Sequence, residues 1–72
     1  MKIFHLINVN GIAKTEIMNH GRKVEAECCQ FTNGKVVVCW LSDPKSVVVW
    51  ESLDDMKGKN VTPHKSRSLE PI

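Results

Sequence analysis

Most of what marks a secreted, membrane-spanning or catalytic protein is missing from this chain. No run among its 72 residues is apolar for long enough to cross a membrane, and the opening MKIFHLINVNG has one Lys and no cleavage signature. That points to a cytosolic protein with no membrane partner. Cysteine is sparse and odd in number, with Cys28 and Cys29 adjacent, Cys39 apart and no Cys-x-x-Cys pair. Adjacent strand residues point to opposite faces, so Cys28 and Cys29 cannot both turn to one metal alongside His5, His20 or His64 without a bulge. Reduced, inert core thiols are the expectation, and no metal or cofactor is implied. A Cys nucleophile with a His base has the right residue types, but a domain this small offers little pocket. No side-chain constellation amounts to an active site, so the chain reads as a non-enzyme. The formal charge of +2 is too weak to imply nucleic acid by itself. Large rings are few: two Trp and two Phe.

What is present is one small domain's worth of globular sequence, 42% hydrophobic and 25% charged, which buries a small core with little stability to spare. Its clearest pattern runs from Cys28 to Met56. Asn33-Gly34 between two apolar runs predicts a two-residue type I′ turn. That register sets Phe31 opposite Val36, Cys28 opposite Cys39 and Glu27 opposite Trp40. One face then collects Cys29, Phe31, Val36, Val38 and Trp40 as core; the other carries Cys28, Gln30, Val37, Cys39 and Leu41. A Cys28–Cys39 disulfide is not expected, because the pair falls at a hydrogen-bonded site with widely spaced Cα atoms.

Asp43-Pro44-Lys45-Ser46 predicts a type I turn into Val47–Trp50, where three consecutive valines argue for a strand buried on both sides or central in the sheet. An even register sum there places Trp40 and Trp50 on the core face as direct or diagonal neighbours and as the largest core contributors. Ser52-Leu53-Asp54-Asp55 resembles a capping box opening a helix near residues 52–58, with Gly58 stopping it early. Upstream, Lys2–Val9 reads as a strand buried on both faces, and Asn10-Gly11 punctuates it. Ile12–Met18 fits either two helical turns ending at Gly21 or an irregular strand with a turn at Asn19-His20-Gly21; its β-branched residues favour strand or loop. From Asn60 the composition turns polar, basic and Pro-containing, so residues 61–72 are expected to be an extended or flexible tail, ordered only where Leu69 or Ile72 finds a groove. Residues 1–60 form the domain.

The runs FTNGKVVVCWL and SVVVWESLDDM, preceded by VNGIAKT and an HG, resemble a family of very short bacterial, archaeal and phage-encoded proteins. The matching positions are Gly11, Phe31, Gly34, Trp40, Ser46, Val47, Trp50, Ser52 and Asp55. Family members commonly carry a His-Gly-His-Gly-type segment after the acidic turn, where this chain has only Pro63-His64-Lys65; Cys39 stands where Arg is common and Asn33 where Asp is. The resemblance implies a fold and transfers no activity and no catalytic residue. Its phage members imply host takeover or counter-defence, in the host cytoplasm.

The fold expected is mainly β (small α+β): a twisted antiparallel meander or small barrel of four to five strands with one short helix. The function expected is a small binding protein that docks on a host or cellular protein and inhibits it. Its binding residues would come from the apolar second face (Val37, Cys39, Leu41) or from the basic C-terminal quarter (Lys57, Lys59, His64, Lys65, Arg67). The two-sided apolar Lys35–Leu41 strand predicts self-association as a dimer. A nucleic-acid-binding domain using the basic tail ranks below protein binding, because no exposed aromatics interleave with the charges. A small-molecule or nucleotide site at an oligomer interface is the third reading.

Overall fold

The computed structural model describes residues 1–8, 18–19, 22–42 and 44–72. The expectations for Val9, Asn10-Gly11, residues 12–17, His20-Gly21 and Asp43 fall outside that set. The chain forms β1 (Lys2–Asn8), β2 (Met18–Asn19), β3 (Arg22–Gln30), β4 (Val36–Trp40), β5 (Val47–Trp50), α1 (Leu53–Asn60) and β6 (Arg67–Pro71). The strands make one open antiparallel sheet in the order β5-β4-β3-β1-β6, with the two-residue β2 on β3. The architecture is therefore the mainly β meander with one short helix, extended by a sixth strand that returns to lie beside β1.

The first hairpin differs from expectation by one residue. Phe31 N–H donates to Lys35 O at 2.8 Å and Gly34 N–H to Phe31 O at 2.9 Å, which closes a three-residue loop instead of a two-residue one. Gly34 sits at φ +90°, where a side chain is disfavoured, and Asn33 Oδ1 accepts from Lys35 N–H at 3.1 Å. Cys28 consequently faces Val38, Cys29 faces Val37 and Glu27 faces Cys39. Every side chain of β3 changes face relative to β4. Ala26 and Cys28 join Val36 and Val38 in the core, whereas Cys29 and Phe31 move to the opposite face. The type I′ register would have put Glu27 on the core side opposite Trp40, and the cost of desolvating that carboxylate selects the longer loop.

Across β4 and β5 the register sum is even as expected, with Val36 opposite Trp50 and Val38 opposite Val48. Trp40 and Trp50 share the core face, but four residues apart along it, so they are not neighbours. Both are half-buried and flank the core instead of filling it. Among the described residues the largest fully buried side chains are Leu6, Ile7, Met56, Val24, Val36, Val38 and Cys28, with Ala26 buried beside them.

Helix α1 lies on this same side of the sheet. Ser52 caps it, its Oγ accepting from Asp55 N–H at 3.1 Å; Asp54 and Asp55 sit near the positive helix end, and Lys57 and Lys59 near the negative one. Met56 is the helix's buried residue and meets Leu6, Ala26, Cys28, Val36 and Val38. Gly58 does not stop the helix, which runs on to Asn60. Beyond α1, residues 61–66 run through turns, and the segment from Arg67 is an extended strand. Arg67–Pro71 pairs with β1, with Leu69 opposite Leu6 and packed against the core.

Candidate functional site: two surfaces on opposite sides of the sheet

Because α1 covers one side of the sheet, the even-numbered positions of β4 and β5 are sequestered and the odd-numbered ones are left over. Val47 and Val49 are each 63% exposed, Ile3 49% and Phe31 45%. Val37 and Cys29 are half-buried between them, and Cys39 is exposed. Together they form a continuous apolar face crossing β1, β3, β4 and β5. A shallow depression of about 220 Å³ in it is lined by Ile3, Glu27, Cys28, Cys29, Val37 and Cys39. The same side becomes buried toward the bulge, where Ile7 and Val24 pair and are wholly inaccessible. At its rim His5 Nε2 lies 3.8 Å from Glu27 Oε2, with Glu70 opposite His5 on β6.

Of the residues expected to bind through this face, Val37 and Cys39 lie on it. Leu41 is half-buried at the far end, its N–H bonded to Glu25 O at 3.0 Å. Phe31, Cys29, Ile3, Val47 and Val49 were not singled out by sequence reasoning. The three consecutive valines do not form a strand buried on both sides or central in the sheet: β5 is an edge strand, and Val47 and Val49 lie on this exposed face. For Phe31 and Cys29 the signal was masked by the hairpin register.

The basic set divides. Lys57 and Lys59 are exposed on α1, and His64 and Lys65 are exposed in the turn leading to β6. They stand apart from the apolar face, which is on the other side of the sheet from α1. Arg67 does not belong with them. Its Nε donates to Glu25 Oε2 at 2.6 Å, its Nη1 to Asn60 O at 3.1 Å, and its guanidinium lies 5.3 Å from the Trp40 ring centroid. Glu25 is the extra residue of a bulge between Leu6 and Ile7, and its Oε1 also accepts from Asn8 Nδ2 at 3.3 Å. This cluster borders a shallow space of about 240 Å³ lined by Glu25, Trp40, Ser42, Pro44, Ser46 and Arg67.

All three cysteines are free thiols: Cys28 buried, Cys29 half-buried, Cys39 exposed. Burial, reinforced by Cys39 and Glu27 nearby, pushes the Cys28 thiol up from 9.0 to about 11, which makes it a poor nucleophile at neutral pH. Among the described residues no group of three or more His, Cys, Asp or Glu is placed to hold a metal ion. No helix among them is long and apolar enough to cross a membrane.

Compared with known proteins, the chain matches the Acb5 phage protein family over residues 14–67. It belongs to that family. The match spans β2 to the start of β6, and so includes both hairpin strands of the apolar face and the helix with its basic residues. Searches among curated proteins and among solved structures give no match. The phage association expected from the resemblance thus holds for the small phage family.

Proposed function

We propose that this phage-family protein is a non-enzymatic binder that docks on a host protein through its apolar sheet face and blocks it. The observation that carries this reading is the exposure of Ile3, Phe31, Val47 and Val49 together on a face opposite the one that holds the main core. Contiguous apolar surface of this kind marks interaction sites on soluble proteins. Shape supports the same reading, because these two depressions are shallow and at the small end for ligand pockets, while an exposed apolar sheet face suits a protein partner. The exposed thiol of Cys39 and the half-buried one of Cys29 lie within the contact area as small apolar groups.

The test is affinity capture from host lysate at low and high salt with three forms of the full chain. Wild type should retain one host protein at high salt. Ile3→Glu combined with Phe31→Ser, both at exposed positions, should stay folded and lose that protein together with any advantage to the infecting phage. Lys57→Glu combined with Lys65→Glu should keep it. The opposite pattern, with capture lost at moderate salt and in the lysine variant, would assign the activity to the basic side and to nucleic acid.

A further inference from the structure

The strand order β5-β4-β3-β1-β6 ends in β5 on one side and β6 on the other, and these two strands are built differently. Strand β6 is blunted, since it carries Arg67 and Glu70 and ends on Pro71, which has no N–H to offer. Strand β5 carries none of these devices: Val47, Val48, Val49 and Trp50 are uncharged, and among the described residues nothing pairs with their outer side. The bonding phase follows from one contact. Trp40 N–H donates to Ser46 O at 2.9 Å, in the register of the β4–β5 ladder, and bonded pairs recur at every second residue. Ser46, Val48 and Trp50 therefore face β4 with their backbone groups. Val47 and Val49 aim theirs outward.

We propose that β5 pairs antiparallel with β5 of a second copy, about a twofold axis through Val48. This inference is independent of docking on a host protein and stands or falls separately. The register is set by self-complementarity. Centring the axis on Val48 puts Val47 opposite Val49 of the second copy, so the outward backbone groups of both residues are satisfied in both copies. Just beyond the two ends of the strand it also brings Lys45 toward Glu51 of the second copy, twice over. Glu51 already lies 3.7 Å from Lys35, which immediately precedes β4, so each side gains a row Lys35, Glu51, Lys45 of alternating charge just beyond the strand ends. Sliding the pairing by two residues either way sets a charge against a valine instead. An isologous contact of this kind closes on itself at two copies. It also makes the two apolar faces coplanar on one side of a continuous sheet, with the exposed valines at its centre. A short chain with a small core gains most from such an extension.

Charge exchange tests the register directly, using the full chain in sedimentation equilibrium. Wild type should sediment as a dimer of two 8.1 kDa chains. Lys45→Glu alone and Glu51→Lys alone each create two like-charged pairs and should weaken the dimer roughly tenfold. An equimolar mixture of the two variants restores both pairs in the mixed dimer and should recover wild-type affinity. Val49→Pro removes an outward N–H without touching the β4 ladder and should give a monomer whose far-UV circular dichroism still reports a folded sheet. A wild-type monomer at high micromolar concentration overturns the proposal. So does a mixture that associates no better than either variant alone.

Discussion

Arg67 Nε and Glu25 Oε2 meet at 2.6 Å although 42 residues separate them in sequence, and they join the last strand to the bulge of β3. Both side chains are mostly buried, at 20% and 13% exposure, and the guanidinium is further held by the Asn60 carbonyl and the Trp40 ring. Removing one partner of such a pair leaves the other charge desolvated and uncompensated. Arg67→Ala should therefore lower unfolding stability by about 3 kcal/mol in urea titration. Arg67→Lys should recover only part of that, because an ammonium cannot reproduce the fork that reaches both Glu25 and Asn60. If Arg67→Ala unfolds at the wild-type midpoint, β6 is not fastened in this way.

The two tryptophans should respond differently to substitution. Trp40 supports the Arg67 guanidinium and packs against the core, so Trp40→Ala should cost roughly 3 kcal/mol. Trp50 also packs there, but its indole Nε1 is buried without a hydrogen-bond partner. A phenyl ring keeps much of the packing and removes the unsatisfied donor. Trp50→Phe should leave stability unchanged or raise it by up to about 1 kcal/mol, and a clear loss would mean that the larger ring's contacts outweigh the donor.

The Ser52 cap was legible from local chemistry alone, whereas the β4–β5 register hung on a loop length that the sequence left open, and the structure shows the even sum. The β3 face was not legible. Asn33-Gly34 suits both a two-residue and a three-residue loop, since each needs Gly34 at positive φ, and the two differ by one residue of register. The deciding signal was upstream, where Ala26 and Cys28 alternate with Glu27. Only the longer loop keeps that carboxylate out of the core. Strand β6 was hidden for another reason. Among its five residues Leu69 is the one large apolar side chain, and its ordering comes from pairing with β1 and from the Arg67–Glu25 contact, neither of which is local. The apolar face was already expected from Val37, Cys39 and Leu41, and the smaller register sum adds Phe31 and Cys29 to it.

Two glycines with opposite roles give a paired test. Gly58 lies inside α1, at a position where an added Cβ would meet nothing within 4 Å. Gly58→Ala should raise stability by roughly 0.5–1 kcal/mol through helix propensity. Gly34 has equally open surroundings but sits at φ +90° in the hairpin loop, so Gly34→Ala should lower stability by about 1–2 kcal/mol. Thermal unfolding of both variants measures this. Equal effects would mean that backbone conformation does not distinguish the sites.

The buried thiol of Cys28 links stability to alkaline pH. In the folded chain it ionises only near 11, raised by burial and then by Cys39 and Glu27, whereas the unfolded chain's thiol ionises near 9.0. Below pH 9 the thiol is protonated in both states and contributes no pH dependence. Between about 9 and 11 the unfolded state loses its proton first, so it binds fewer protons than the native state and stability falls as pH rises. Above about 11 this group adds nothing further. The loss accumulated across that window should be on the order of 2 kcal/mol. Urea midpoints measured from pH 8 to 11 should decline for wild type and stay flatter for Cys28→Val, which fills much the same volume without a titrating group. A reagent that alkylates thiols should meanwhile modify exposed Cys39 in the native protein and reach Cys28 only on unfolding. An equally steep alkaline decline in Cys28→Val would assign the effect to another group.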